Sequence, residues 1–336
     1  MHENPGPDRS TVHRILIPLL RTLSDGQFHT GSALAEQFDV SRATVCNALK
    51  SAEALSVRVF RVQGRGYRLA EPFDWLDAKT ICTGLQGPAQ QIRIKVADIT
   101  ESTNTTLLRA AEPLADQECL LAEYQSAGRG RRGRSWQAPL GGSILCSVRW
   151  RFQLGIGALT GLSLATGVAI LRSLRALGAH DLQLKWPNDL LWRERKLAGI
   201  LIEVQGEANG PSIAVIGIGI NIRLPDNARD GIDQPVADLT EITGAPVSRN
   251  RAATALLNEL GAILTDFETG GFDSLRDEWN AAHAHAGKQL EITLADGSRI
   301  HGQALGLSPQ GALLLQNDAG HQIAIHSGDI RLARRA

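Results

Sequence analysis

Two apolar runs, residues 118–124 and 143–152, are joined by a stretch that reads Gln-Ser-Ala-Gly-Arg-Gly-Arg-Arg-Gly-Arg-Ser-Trp from Gln125 to Trp136. Runs of this length and polarity predict buried strands, and the residues between them must then form a loop at the rim of a sheet. In that loop three glycines (Gly128, Gly130, Gly133) alternate with four arginines (Arg129, Arg131, Arg132, Arg134). Glycine admits positive φ and lets backbone N–H groups converge on an anion. Arginine adds permanent charge in a fork that fits phosphate oxygens in pairs. No Asp or Glu occurs from Tyr124 to His180, while Arg149, Arg151, Arg172 and Arg175 add positive charge. The expected partner of the loop is therefore an external anion.

Residues 128–133 also fit G-x-G-x-x-G, but the context excludes a dinucleotide fingerprint. That motif needs a helix directly after it and an acidic residue about twenty positions on. Here Pro139, Gly141 and Gly142 follow, and the acid is missing. A flexible basic tail is a poor alternative, because such tails sit in low-complexity surroundings.

A chain of 336 residues predicts two or three domains, and a 43% apolar fraction supplies their cores. Formal net charge is zero, so affinity for phosphate or DNA must come from local patches. The four cysteines (Cys46, Cys82, Cys119, Cys146) form no C-x-x-C pair, which argues against zinc and disulfide frameworks and for reduced thiols in the cytoplasm. Glu3, Pro5, Pro7 and Asp8 do not read as a signal peptide. Arg172, Ser173 and Arg175 break the apolar run from Leu162 to Leu177, so no membrane span is expected.

The first seventy residues carry three helical patterns, Thr11 to Leu23, Ala33 to Phe38 and Arg42 to about Leu55, the last capped by Ser41. A short helix, a tight turn and a second helix with a polar start make a helix-turn-helix. Arg42, Thr44 and Asn47 are placed to face DNA, with Val45 and Leu49 facing the core. Strands at 57–62 and 67–69 flank Arg65 in a basic wing. Six Lys or Arg stand against Glu53 between Arg42 and Arg68, a local excess of five that suits phosphates. The remaining boundaries are expected at a linker, 73–88, a catalytic domain, 89–284, and a C-terminal domain, 285–336. His283 and His285, without carboxylate or Cys partners at ligand spacing, read as surface residues.

Within the central domain, Ser102, Thr103 and Asn104 stand where a strand meets a helix. They serve either as helix caps or as contacts to a small polar head group. Lys185-Trp-Pro-Asn-Asp189 is followed by Lys196-Leu-Ala-Gly-Ile-Leu201. Lys196 at a strand start puts a point charge where a carboxylate and a phosphate could meet, and Asn188 and Asp189 offer oxygens for Mg²⁺. Gly217 and Gly219 lie in an alternating β-branched run ended by Asn221, a central strand that admits close approach of a ligand. Residues 224–238 read as a mobile loop. Alternating segments from Lys288 to His326 predict four or five short strands.

The Gly/Arg loop with Gln125 and Trp136, the Ser-Thr-Asn run, the Lys-Trp-Pro-Asn-Asp and Lys-Leu-x-Gly-Ile-Leu pair, and the Gly-x-Gly-x-Asn strand together resemble biotin protein ligases of the bifunctional ligase/repressor kind. The resemblance spans nearly the whole chain. It implies an α+β multidomain fold: a winged helix-turn-helix (1–72), an α/β ligase domain with a mixed sheet of the class II synthetase-like kind, and an SH3-like β-barrel.

It also implies ATP-dependent, Mg²⁺-assisted attachment of biotin through biotinyl-5′-AMP to a lysine of the biotin carboxyl carrier protein of acetyl-CoA carboxylase. Repression at operator DNA by an adenylate-bound homodimer is implied as well. By the same likeness Ser102, Thr103, Asn104, Gln125, Gly128, Arg129, Arg131, Trp136, Lys196, Gly199 and Gly217 would contact biotin. Arg129, Arg131, Arg132, Arg134, Asn188, Lys196 and Asn221 would contact nucleotide. Lys196, Arg131 and Asp189 would serve catalysis, and Arg42, Thr44, Asn47 and Arg65 DNA. Relatives often place a Trp against adenine where this chain has Val236. A lipoate- or octanoate-attaching enzyme on the same fold is the first alternative. A transcription factor whose ligase-like domain only senses biotin is the second.

Overall fold

The computed structural model describes residues 9–110 and 115–333, with side chains from residue 14 onward. Glu3, Pro5, Pro7 and Asp8 lie outside the described residues, as does the side chain of Thr11. Helices α1 (Arg9–Leu23), α2 (Gly31–Gln37) and α3 (Arg42–Ser51) precede a hairpin of β1 (Val59–Val62) and β2 (Gly66–Leu69). Side-chain caps set the helix starts: Thr30 accepts from Ala33 N, and Ser41 from Thr44 N. Leu19, Leu20, Leu23, Leu34, Val45 and Ala48 are fully buried and hold the three helices together. Gly66 has φ +103, and a Cβ there would sit 2.0 Å from the His29 carbonyl oxygen, so the wing closes on the helices only with glycine.

Residues 73–88, expected as a linker, are folded. They carry α4 (Ala78–Thr83), and Leu76, Ile81 and Leu85 are buried in the central core. Burial of these apolar side chains in the central core outweighs the segment's mixed polarity. Phe73 and Trp75 stack with ring centroids 4.1 Å apart, and Trp75 Nε1 donates to Ser24 Oγ at 2.8 Å.

The central sheet has seven strands in the order β3 (Arg93–Thr100), β4 (Gln117–Gln125), β5 (Ser143–Phe152), β9 (Ser212–Asn221), β8 (Arg195–Gly206), β7 (Asp189–Trp192), β6 (Leu182–Lys185). Only β3 and β4 run parallel, which makes the sheet mixed. The short helix α5 (Thr103–Leu108) follows β3. Helix α6 (Leu162–Ala176) packs on the sheet together with α9 (Arg249–Gly270). Residues 156–176 are long and apolar enough to cross a membrane by length and composition, but more than half of them are buried here as core.

Residues 224–238, expected as a mobile loop, carry secondary structure and side-chain ties. They include α7 (Asp226–Arg229) and precede α8 (Leu239–Thr243), and the Arg229 guanidinium donates to the Leu224 and Val236 carbonyls and to Asp238. Loop composition did not disclose that one arginine pins both ends.

After α10 (Arg276–Ala281), strands β10 (Gln289–Thr293), β11 (Arg299–Leu307), β12 (Leu313–Gln316), β13 (Gln322–Ile325) and β14 (Asp329–Leu332) form an antiparallel sheet. Its order is β13-β12-β11-β10-β14, with a bulge between Ala304 and Gly306. Trp186 Nε1 donates to the Gly311 carbonyl at 3.0 Å and ties this sheet to the ligase domain. At the same joint lie His283 and His285, only 6% and 7% exposed. The surface assignment for both is thereby corrected. The segment pairs with β6 (Leu184 opposite His283), and His283 lies 4.9 Å from the Trp279 ring, so local polarity gave no hint of their burial.

The winged domain joins the ligase domain through a shared piece of core, and a buried ion pair fastens the 73–88 segment between them to the central sheet. Leu140, on the exit leg of the Gly/Arg loop, is buried in the N-terminal core, where Phe73, Trp75 and Tyr124 also pack. Arg249, at the start of α9, pairs in full burial with Glu123 at 2.6 Å and donates to the Asp74 and Ser143 carbonyls. Glu123 also accepts from Leu76 N at 2.7 Å. Removing one partner of such a pair strands the other charge. Arg249→Ala should therefore lower stability by about 3–5 kcal/mol in urea unfolding, while leaving secondary structure at low urea intact. Burial lowers the pKa of His283 and of His285 to about 4, with neighbouring positive groups adding to it. The unfolded rings take protons near pH 6.5, so the stability they confer is complete above about 6.5 and is lost as pH falls toward 4, at up to roughly 1.4 kcal/mol per pH unit per ring. A His283→Phe/His285→Phe variant should show a flatter stability profile across that window.

Candidate active site

A cleft of about 800 Å³ opens over the middle of the sheet. Its floor is Gly199 of β8 and Gly219 of β9, which face each other across the strand pair. The Trp136 indole lies on both: a Cβ on Gly219 would come within 2.4 Å of the ring, and one on Gly199 within 2.9 Å. Gly128 is required for a similar reason, since a Cβ there would meet the Trp136 carbonyl oxygen at 2.4 Å. The expected positive φ is found in the loop only at Arg132 and Gly133, so Gly128 and Gly130 serve close approach and not a left-handed turn.

One end of the cleft is neutral and hydrogen-bonding. Ser102, Thr103 and Asn104 are nearly fully buried there. Ser102 makes no side-chain cap bond to α5, which removes the capping reading. Gln125 Oε1 accepts from Thr103 N at 2.7 Å and from Thr103 Oγ1 at 3.1 Å. Asn104 spends its polar atoms inside the protein and braces Gly217, where a Cβ would meet its Oδ1 at 2.3 Å.

The other end is charged. Lys196 Nζ lies 2.9 Å from Asp189 Oδ1, an ion pair not aligned as a hydrogen bond, and 5.5 Å from the Trp136 ring centroid. Arg131 donates to Asn188 Oδ1 at 3.1 Å, and Asn188 Nδ2 holds the Ile200 carbonyl at 2.8 Å. Asn221 donates to the Ala237 carbonyl at 3.1 Å and so fixes the strand beside Val236, itself bridged to Lys196.

The expectation that no acid neutralises the loop holds for sequence neighbours only. Arg129 pairs with Glu203, and Arg132 and Arg134 with Asp329 of the C-terminal sheet. Arg131 has no carboxylate partner among the described residues. Burial lowers its pKa from the ordinary value, with Arg132 contributing. A partly desolvated guanidinium without a counter-ion is a ready seat for an anion. A resident metal does not fit this end. Asp189 already faces Lys196, and among the described residues no three His, Cys, Asp or Glu cluster at ligand distance.

Among the residues expected at DNA, Arg42, Asn47 and Arg65 are exposed, and the Arg65 guanidinium lies 4.3 Å over the Phe28 ring. Thr44 is corrected: it is 6% exposed and its hydroxyl lies 2.8 Å from Ser41, so it helps cap α3 and does not reach a groove. Ser147 and Glu203, both bonded to Asn104, were missed by the sequence reading. A hydroxyl inside the apolar run from Ile144 to Val148 was the available signal for Ser147.

Residues 96–221 match the Biotin/lipoate A/B protein ligase family, residues 16–68 an HTH domain and residues 285–332 the Biotin protein ligase C terminal domain. The chain is 36% identical to the bifunctional ligase/repressor BirA of Escherichia coli K12, covering 93% of this chain and 98% of that protein. It is 34% identical to the biotin–[acetyl-CoA-carboxylase] ligase of Mycobacterium tuberculosis, over 76% of this chain and 95% of the relative. A solved Aquifex aeolicus biotin protein ligase, in complex with biotin and ATP, superposes with TM-score 0.60 at 25% identity, covering 72% of this chain and 99% of that one. With a winged DNA-binding domain in front of a ligase cleft, the chain belongs to the biotin protein ligases, among the bifunctional ligase/repressors.

Proposed function

We propose that the protein activates biotin with ATP, transfers it to a carrier lysine, and represses transcription through its winged domain. Biotin sits with its ring at the Ser102–Thr103–Gln125 end and its tail along Trp136, Gly199 and Gly217. Its carboxylate attacks the α-phosphorus of ATP; the bond to pyrophosphate breaks and biotinyl-5′-AMP forms. The ε-amine of a lysine on the biotin carboxyl carrier protein of acetyl-CoA carboxylase then attacks the acyl carbon, loses a proton, and expels AMP.

Lys196 and Arg131 carry the electrostatic work. Both reactants are anions, and charge gathers on the phosphoryl oxygens as the carboxylate approaches; two fixed cations offset it without reorganising. Asp189 holds the Lys196 amine in place. Arg129, Arg132 and Arg134 close the loop and exclude water, which would otherwise hydrolyse the mixed anhydride. Mg²⁺ enters as part of the nucleotide substrate. Val236 and the Lys196 strand border the base in place of an aromatic ring. Arg42, Asn47 and Arg65 meet operator DNA, the repressing species is an adenylate-bound homodimer, and the working compartment is the cytoplasm.

The observation that carries this reading is the convergence, in one cleft, of an uncharged hydrogen-bonding pocket and the Lys196–Arg131 pair. The test is transfer of label from biotin to a carrier lysine with Mg-ATP, offered in parallel with labelled lipoate. Biotin transfer supports the reading; lipoate transfer alone, or no pyrophosphate release with biotin, sinks it. Lys196→Ala should slow single-turnover adenylate formation by at least about a hundredfold, the scale of losing one fixed charge-stabilising donor, with the fold unchanged by circular dichroism.

A further inference from the structure

Two loops border the charged end of the cleft, and both are fastened at the winged domain. Gly142, on the exit leg of the Gly/Arg loop, offers one carbonyl oxygen to two amides, Ile222 N and Arg223 N, each at 2.9 Å. Arg223 directly precedes the 224–238 loop, of which Ile232, Gln234 and Val236 line the cleft. A Cβ on Gly142 would lie 2.7 Å from the Arg223 carbonyl oxygen, so only glycine lets the two legs run this close. Leu140 N in turn donates to the Leu55 carbonyl of the winged domain at 3.1 Å. On one flank, then, the start of the 224–238 loop is held by backbone.

Its other tie is a charge, and that charge is shared. Glu71, two residues past β2, pairs through Oε2 with the Arg223 guanidinium, while its Oε1 accepts from Arg58 Nη2 at 3.4 Å. Arg58 stands directly before β1 at the base of the wing, with 80% of its side chain exposed. From Val57 to Leu69 the wing carries four arginines and no acid, and Glu71 is the one carboxylate partner of Arg58 among the described residues. Two cations on one carboxylate each feel less net attraction than either would alone, because they repel one another. A DNA phosphate at the wing offers Arg58 a stronger, bidentate partner. Glu71 is then left to Arg223.

We propose that Glu71 is a positioning residue contested by Arg58 and Arg223, through which DNA phosphate at the wing tightens the 224–238 loop over the nucleotide. The inference rests on the adenylate and DNA readings above and gives them a route within one subunit. Both pairs are exposed, so the coupling is modest, about threefold in either direction. Its sign is the informative part. Losing Glu71 or Arg223 removes the tie, whereas losing Arg58 removes only a competitor. A protein on DNA holds its adenylate longer than a free one, and by linkage the adenylate strengthens DNA binding by the same factor.

The test uses the full-length protein, loaded with adenylate from labelled biotin and Mg-ATP and freed of excess ligand, and follows release of the label. Without DNA, Glu71→Gln and Arg223→Gln should release adenylate about threefold faster than wild type, and Arg58→Gln more slowly. A saturating short duplex of arbitrary sequence, at low salt where phosphate contacts dominate, should slow release from wild type and leave Glu71→Gln and Arg58→Gln unchanged. Only folded complexes carry label, so partial unfolding does not disguise the rates. If all three variants shift the same way, Glu71 is merely structural and the proposal fails. It fails equally if bound duplex leaves wild-type release unchanged, or slows Glu71→Gln as much as wild type, which would place the coupling elsewhere, subunit association included. Wild-type protein that forms no adenylate, or does not bind the duplex, would instead overturn the reading of the cleft or of the wing.

Discussion

The cleft exists because two glycines face each other across adjacent central strands. Gly199 and Gly219 leave a window without side chains at the middle of a seven-stranded sheet, and the Trp136 indole fills it at van der Waals contact. Any Cβ at either position would push the indole off the sheet and lift the leg of the loop that carries it. The floor, the aromatic wall and the height at which the loop arginines sit are thus set by one packing constraint between backbone and ring.

On that floor the electrostatics divide in two. At one end every charge is compensated or absent, and recognition rests on hydrogen bonds among buried oxygens. At the other end, positive charge is less fully balanced: Lys196 shares Asp189, while Arg131 has only an amide. The remaining loop arginines are held by carboxylates distant in sequence, Glu203 and Asp329, so the flap is already drawn toward the cleft before any phosphate enters. These exposed pairs are worth little individually, and stronger phosphate contacts can exchange with them.

Much of this was legible in the chain because local chemistry and global position agree. The Gly/Arg loop, the strand bearing Lys196 and the Gly217–Asn221 strand each announce themselves within a dozen residues. Most of the failures share a physical cause, a partner supplied by another part of the fold; Thr44, whose hydroxyl meets Ser41 three residues away, is the local exception. The acid-free span from Tyr124 to His180 could not disclose that Glu203 and Asp329 fold back on the loop. Thr44 looks polar and available until Ser41 takes its hydroxyl. His283 and His285 read as surface residues because Trp279 and Leu184, which cover them, belong to other elements. Ser147 and Glu203 went unnoticed because the amide they bond, Asn104, belongs to a different element, and spacing carries no such information.

Leu140 stands at the end of the ligand-binding loop yet is buried among the leucines of the winged helix. The two functional halves therefore share a piece of core, and neither is a detachable module. Excising the first seventy residues would bare Leu140, Phe73 and Tyr124 to water and free the downstream foot of the flap. A truncated chain would then show the ligase altered by its amputation, and its kinetics would describe a different lid.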